Sequence, residues 1–553
     1  MAAAQETVTI KKLTRRFSVH PKRALEGRLY AKTDYQRPGI DTTSSLSRLC
    51  HRSTARISGL DGGWRMSGNT PASNVVLVTI DSLRADAVGA YADSQYTPVL
   101  DSLAADGAVF ENAFATGNWT PFSFPSILGA RPVFADSGQI GVDQSPTLAS
   151  VLSEADTTSD ITTAGFNAAN GFLTSHWGYD QGFDQFEPFV ADTGSDLYSR
   201  YLATHPTVEA WIQLATSPVR RLRSWLGRKS TDRPFLDASR MFDVESAAKQ
   251  FIDDTSSPFF LWVHYMDAHT PYVPAPRYIR EVSEDRLGTH QMLHAHVRTG
   301  LGRTVDERTL DELRTLYKAA VRQIDASVGR LREALSTAGI ADETAIVVAG
   351  DHGEEFQDHG HLAHYPKLYD ELIRVPLIIS TPDGQSQRIA RPTGLDAIPP
   401  TVTDLLGVDP APDWTRGSVL PAMSDGPLAP DPDSDADPAD PVVSVAVRGE
   451  EVTQQPIPRS LDDGELLVSV RDKEWTYIEH AETGVAELYH RPTDPAQQDD
   501  RAVDPSPEAR EVMNEFGAVA RRHHQSLQEH TPEAPGKEVN ADLSARLEAL
   551  GYR

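Results

Sequence analysis

Short runs of small, β-branched and apolar residues recur along the chain. They are Asn74–Ile80 (NVVLVTI), Thr162–Phe166, Pro258–Val263 (PFFLWV), Ala345–Ala349 (AIVVA) and Arg374–Ser380 (RVPLIIS). Runs of this length with little polar alternation read as strands covered on both faces. Helical patterns separate them. Thr97–Phe110 reads as an amphipathic helix entering a short strand, Asn112–Gly129 as a loop entering a helix, and Leu148–Glu154 as a helix. Gly178–Asp184 (GYDQGFD) is turn-rich. Residues 190–255 look mostly helical, with a basic patch at Arg220–Arg223, and read as an insertion on the sheet. Val282–Ala338 is largely helical, its clearest apolar repeat lying in Leu310–Leu335. Leu395–Leu406 is a helix that two prolines break or start. Strands alternating with helices predict a doubly wound α/β sheet. Beyond a Pro- and Asp-rich linker at Ser424–Pro441 the pattern changes. Val442–Val447, Glu465–Val470 and Trp475–Glu479 alternate like antiparallel strands, and Glu508–Gln528 and Leu543–Leu550 read as terminal helices. A large domain over 74–423 and a small α+β subdomain over 442–553 are expected.

Charge alters the picture at the amino-terminal end. The 553 residues carry a net charge of −27, yet residues 1–65 hold 13 Lys and Arg against 5 acids, leaving −35 for the rest. This segment reads as a basic disordered arm or, preferably, as an over-extended start, with Met66 as the biological one. The acidic remainder argues against nucleic acid or an anionic membrane as partner, and its scarcity of lysine is the bias expected of a halophile protein. No apolar run reaches the 18 residues of a membrane span. The lone Cys50 excludes an intramolecular disulfide. A cytoplasmic location is expected.

The candidate chemistry sits at strand ends, where open α/β sheets bind ligands. Asn74–Ile80 delivers Asp81, then Ser82, Arg84 and Asp86. Pro258–Val263 delivers His264, Asp267 and His269. Ala345–Ala349 leads through Gly350 to Asp351, His352, Glu354, Glu355, Asp358, His359, His361 and His364. A solvated acidic turn is the competing reading of that last stretch. Asp81, Asp351 and His352 combine hard oxygens with an imidazole and suit a divalent metal: Ca, Mg, Mn or Zn, the histidine disfavouring Ca. Thr120, Pro121 and Ser123 fall at a helix start. A hydroxyl on the metal loses its proton and becomes a nucleophile, and a helix N-terminus beneath it would steady an anion. His269 and His364 could bind that anion or protonate a leaving oxygen, while His359 and His361 read as surface residues. These parts suit displacement at phosphorus or sulfur.

An ordered set of motifs carries a family resemblance: NVVLVTIDSLRAD (74–86), TPVLDSLAADGAVFENAFA (97–115), PFFLWVHYMDAHTPY (258–272), VVAGDHGEEFQDHG (347–360), LYDELIRVPLII (368–379), ELYHRPTDP (487–495) and ARLEALGYR (545–553). Together they resemble the sulfatases of the alkaline phosphatase superfamily over residues 74–553. The resemblance implies an α/β/α sandwich with a small C-terminal antiparallel sheet. Asp81 matches the family's first metal aspartate, and Asp351 and His352 its later metal pair. His269 matches the substrate-contacting histidine. His364, with Lys367 as rival, stands near a cationic substrate-binding residue. Arg84 and Asp86 would support the loop beneath the metal.

Departures from the family pattern matter as much. Formylglycine-forming sulfatases carry Cys or Ser-x-Pro-x-Arg, whereas this chain has Trp119-Thr120-Pro121-Phe122-Ser123-Phe124. Thr120 aligns with the nucleophile, Ser123 is its fallback, and Phe124 replaces the arginine. Ser82 replaces a second metal aspartate, and Asn167–Trp177 stands near the family's Gly-Lys-Trp-His. The expectation is a metal-dependent hydrolase of a small-molecule or glycan sulfate or phosphate ester using Thr120 rather than formylglycine. A phosphodiesterase or phosphoethanolamine-type transferase using Thr120 is the alternative, and a non-catalytic metal-binding relative the third reading.

Overall fold

The structure, a computed structural model, describes residues 72–529 apart from 191–239, most of 285–304, 424–440, 449–459 and a few isolated positions. The basic segment 1–65 with Cys50, most of the expected insertion and linker, and the helix expected at Leu543–Leu550 lie outside the described residues.

An eight-stranded sheet organises the chain, in the order Gln387–Ile389, Ala108–Phe110, Leu377–Ser380, Thr344–Gly350, Asn74–Ile80, Phe259–Tyr265, Thr162–Asn167, Gln185–Glu187. Only Leu377–Ser380 runs antiparallel to its neighbours. The central strand Asn74–Ile80 is buried along its whole length, as its continuous apolar sequence requires. Its side chains alternate between two cores. Val75 and Leu77 join Phe122, Phe124, Ile127 and Val402 on one face. Val76, Val78 and Ile80 join Leu316, Ile324, Val328 and Leu331 on the other. The second core is covered by the 32-residue helix Glu307–Ala338. Asp306 caps its start by accepting the Thr309 N–H at 2.9 Å, and Gly339, at φ 76°, ends it. The prolines of Leu395–Leu406 start a helix rather than break one: Ile398–Leu405 carries them in its first turn.

Val442–Arg448, Glu465–Arg471, Trp475–His480 and Ala486–His490 form a separate antiparallel sheet in sequence order, against which the helix Pro507–Glu529 packs. The α/β layering with a small trailing antiparallel sheet is therefore as the pattern predicts; the fourth strand of that sheet was not anticipated. None of the described helices is long and apolar enough to cross a membrane.

Register places the site. Ile80 lies opposite both Tyr265 and Gly350, so the next residues, Asp81 and Asp351, emerge side by side. Phe259–Tyr265 runs two residues further than its apolar pattern suggested, which puts His264 inside the strand, paired with Thr79.

Candidate active site

The two carboxylates are fully buried, and Ser82 ties them together. Its backbone sits at φ 58°, a left-handed conformation that a non-glycine residue adopts at a cost. There its N–H donates to Asp351 Oδ1 at 3.0 Å and its hydroxyl to Asp81 Oδ1 at 3.0 Å. The residue standing for a missing aspartate thus donates to the two acids present. Asp351 Oδ1 also takes the His352 N–H at 2.8 Å, while Asp351 Oδ2 is buried without a hydrogen bond. Asp81 Oδ2 accepts from Thr120 Oγ1 at 3.2 Å and from the amide of Asn170 at 3.1 Å.

Imidazoles close the cluster. His352 Nδ1 faces the Gly353 carbonyl at 2.9 Å. A carbonyl can only accept, so Nδ1 carries the proton and the Nε2 lone pair turns inward. That nitrogen lies 3.5 Å from Asp81 Oδ1 and 3.8 Å from Asp351 Oδ2. His264 Nδ1 lies 3.0 Å from Thr79 Oγ1, and its Nε2 is 3.6 Å from Asp81 Oδ2. Phe124, in place of the expected arginine, sets its ring edge-on against His264 at 5.0 Å. Ligand atoms of Asp81, His264 and Asp351 all lie within 4.8 Å of one another.

Burial, then the neighbouring Asp81, pushes the Asp351 carboxyl well above the usual range. Burial would raise Asp81 too, but His269, His264 and His352 overcome it and hold Asp81 low. Burial, with His364 next, pulls His352 down to about 4. Asp351, buried beside Asp81, lacks compensating positive charge. That deficit, the unbonded Asp351 oxygen and the inward Nε2 atoms fit a divalent cation. Asp81, Asp351, His352 and His264, with Thr120, are the residues that would hold it.

Thr120 opens the helix Thr120–Gly129, with Pro121 in its first turn. Its Oγ1 lies 3.5 Å from His352 Nε2. The helix start offers an anion less than the sequence suggested: Pro121 has no N–H, and those of Phe122 and Ser123 both donate to the Trp119 carbonyl. Ser123 Oγ is buried with no hydrogen-bond partner, and no hydrogen bond joins it to either acid.

A second layer adjoins the first. His364 Nε2 faces His269 Nε2 at 3.0 Å, and the His364 ring lies 4.8 Å from that of His352. His364 Nδ1 pairs with Glu354 at 3.0 Å, whose other oxygen accepts the Tyr272 hydroxyl at 2.5 Å. Burial lowers both imidazoles, and for His269 that direction prevails. Glu354 more than offsets it for His364, whose net shift is upward.

Thr120, Asp81, Asp351, His352, His269 and His364 are therefore brought together. Lys367 is not: its ammonium pairs with Glu487 at 3.2 Å. Arg84 clasps Asp86 and donates to the Glu354 carbonyl at 2.9 Å and to Asp358 at 3.1 Å, so it braces the loop behind the histidines. Asp267 accepts from Gln323 at 2.8 Å. His359 is not a loose surface residue. It pairs with Glu371 at 2.5 Å and stacks on Tyr369 at 3.6 Å. Sequence reasoning assigned no role to Asn170 or Tyr272, placed Glu354 only within the run of candidate ligands after Ala345–Ala349, and left His264 at a strand end without a role. His264 did leave a signal, as a polar residue following the apolar run PFFLWV.

Comparison with known proteins identifies the family. The Sulfatase family profile matches residues 73–408. The chain is 28% identical over 234 residues to the multifunctional alkaline phosphatase superfamily protein PehA of Trinickia caryophylli, covering 36% of this chain and 44% of that one. It is 24% identical over 468 residues to an ulvan-active sulfatase of Formosa agariphila, covering 80% of each. The phosphonate monoester hydrolase of Agrobacterium radiobacter superposes with a TM-score of 0.57 at 18% identity, over 83% of this chain and 95% of that one, a likeness of fold.

Proposed function

The chain belongs to the sulfatase family, and on that premise we propose that it hydrolyses a sulfate or phosphate ester, with the Thr120 hydroxyl as nucleophile. The placement of Thr120 carries the reading: its Oγ1 lies 3.2 Å from Asp81 and 3.5 Å from His352. A divalent metal at Asp81, Asp351, His352 and His264 would lower the hydroxyl's pKa and offset charge on the ester oxygens. The chain's own residues do the rest. Ser82 and Asn170 fix the Asp81 carboxylate, and His269 and His364 face the anionic group and the leaving oxygen. The β-carbon of threonine carries a methyl group, so no formylglycine aldehyde can form there and the hydroxyl itself attacks. Two carboxylates with two imidazoles suit Zn or Mn better than Ca. The substrate class is a small-molecule or glycan anionic ester.

A phosphodiesterase or phosphotransferase reading has its own support. The attacking residue is a threonine, and His352 follows Asp351 where sulfatases commonly carry asparagine. Turnover of an aryl sulfate and an aryl phosphodiester, assayed side by side over a panel of divalent metals, separates the two. Thr120→Ala is expected to lower turnover at least about 1,000-fold while the four remaining donors keep the metal bound, though more weakly, and Asp351→Ala to lose both. Thr120→Ala at wild-type turnover would remove the nucleophile assignment. Wild type silent on both probes with metal bound would favour a non-catalytic relative.

A further inference from the structure

The small sheet and the main domain meet over a cleft of about 640 Å³. No residue of the metal cluster lines it, and neither does His269 or His364. Its volume falls within the roughly 300–1,000 Å³ of sites that take small organic molecules. Some of its charges are balanced. Arg84 is matched by Asp86 at 2.7 Å and Asp358 at 3.1 Å, and Glu371 pairs with His359. The rest are not. Asp370 is one carboxylate among three guanidinium groups: Arg471 and Arg491 pair with it, and Arg374 acts on it from farther away. Among the described residues Arg374 makes no ion pair. Its Nε and Nη2 both donate to the Glu111 backbone carbonyl, at 3.2 and 3.0 Å, while the Glu111 carboxylate is taken by Arg388 at 2.7 Å. The guanidinium is thus fixed in place without being neutralised. Arg471 Nη2 is buried with no hydrogen-bond partner, a second sign that donors outnumber acceptors here. Lys473 adds an ammonium from the turn between Glu465–Arg471 and Trp475–His480, paired only with its exposed neighbour Glu474 at 3.7 Å. In a chain of net charge −27, a concave surface with surplus positive charge draws in an anion. Pro492, Pro495 and Ala496 give the same cleft an apolar lining, which a bare inorganic ion would not use.

We propose that this cleft is a second binding site, for a sugar-sized organic anion. The Arg374 guanidinium and the Lys473 ammonium grip its carboxylate, sulfate or phosphate group, and its less polar face rests on the prolines. A guanidinium already oriented by a carbonyl suits such a group, because its planar fork can meet two oxygens at once. Arg374 directly follows the helix Asp370–Ile373 of the main domain, and Lys473 belongs to the small sheet, so the bound anion joins the two. The site does not depend on the ester-hydrolase reading.

The test is isothermal titration calorimetry on the metal-loaded full chain with glucuronate, glucose and acetate. None of the three is a sulfate or phosphate ester, so none is turned over. Glucuronate is expected to bind with one molecule per chain, at least about 10-fold tighter than glucose or acetate, since it alone offers both the charge and the sugar face. Arg374→Gln and Lys473→Glu should each weaken it at least about 10-fold. Lys473 is largely exposed, so its replacement leaves the fold intact even if loss of the Arg374 bond to Glu111 does not. Asp351→Ala, and wild type stripped of metal by a chelator, should bind glucuronate within about 2-fold of metal-loaded wild type, because distant sites act independently. Binding that survives both Arg374→Gln and Lys473→Glu, or that disappears with the metal, would put glucuronate at the metal cluster and overturn the proposal. Acetate bound as tightly as glucuronate would overturn the sugar-sized ligand, and no binding of glucuronate would overturn the site altogether.

Discussion

Ser82 shows how one residue can substitute for a ligand without becoming one. Its left-handed backbone (φ 58°) turns the N–H to Asp351 and the hydroxyl to Asp81, so both acids are oriented by a neutral donor. Ser82→Ala keeps the first bond and loses the second. Metal affinity is expected to fall about 10- to 100-fold, the usual effect of removing a group that orients a ligand, and competitive chelator titration measures it. Affinity within about 2-fold of wild type would show that Asp81 needs no such support. Phe124 makes the complementary case. It is completely buried, wedged between His264 and Trp262. Phe124→Arg, which restores the family residue, would bury an unpaired charge. A loss of several kcal/mol is expected, read as a lower melting temperature. At this scale the sequence pointed to Asp81, Asp351, His352 and Thr120, which the structure brings together, because each follows an apolar run or opens a helix in a motif of known order. Asn170 was invisible: it reaches Asp81 from a loop with no periodicity, held by its own bonds to Asn167 and Phe172. Lys367 misled, because a cation beside the motif says nothing of the glutamate, 120 residues on, that captures it.

Elements were more legible than side chains, for a physical reason. A strand buried on both faces must be apolar throughout, and a long helix on a core must repeat every three to four residues. Asn74–Ile80 and Glu307–Ala338 meet those demands and were found. Gln185–Glu187, three partly polar edge residues, meets neither and was not. The helix Pro507–Glu529 was found too, but its attachment was not. His523 within it has a buried Nε2 without a hydrogen-bond partner. Burial drives this imidazole down to about 4, with Asp396 only partly opposing. The folded state therefore binds fewer protons than the unfolded one between pH 6.5 and 4, so stability falls as pH drops through that window. The loss amounts to about 3 kcal/mol at most. Denaturant midpoints at pH 7 and pH 4.5 should differ more for wild type than for His523→Leu, and an unchanged difference would rule out this histidine as the cause. The loop joining His352 to Glu354 is equally constrained. A β-carbon on Gly353 would lie 1.9 Å from the Glu371 carbonyl oxygen. Gly353→Ala should cost about 1–3 kcal/mol and shift both residues, lowering turnover along with the melting temperature.

One carboxylate links the small sheet to the loop that carries His364. Asp370 sits six residues after that histidine, at the start of the short helix Asp370–Ile373. Its oxygens receive Arg471 at 3.4 Å, from the end of the strand Glu465–Arg471, and Arg491 at 3.2 Å, just past the end of Ala486–His490. Its N–H donates to Gln497 at 2.7 Å. Arg491 also reaches Asn112 at 3.0 Å, just past the end of Ala108–Phe110, and lies over the Phe114 ring at 4.8 Å. Arg471 is wholly buried. Burial lowers its pKa to about 10, against the opposing pull of Asp370. The same two guanidinium groups overcome the effect of burial on Asp370 and hold its carboxyl low. A pair this dry is a weak argument for net stabilisation, since desolvation offsets most of the attraction. Removing one partner is a different matter, because it leaves charge buried and unpaired. Asp370→Asn is therefore expected to cost about 3–5 kcal/mol, whereas Asp370→Asn combined with Arg471→Met should recover part of that loss. If the junction also holds the His364 loop in place, turnover of Asp370→Asn below its melting transition should fall and return in the double variant. A single variant as stable as wild type would mean that water reaches Arg471 and that the two parts are joined by apolar packing alone. A variant of reduced stability with normal turnover would show that the sheet anchors the fold while the histidines are held by Glu354 and Arg84 on their own side.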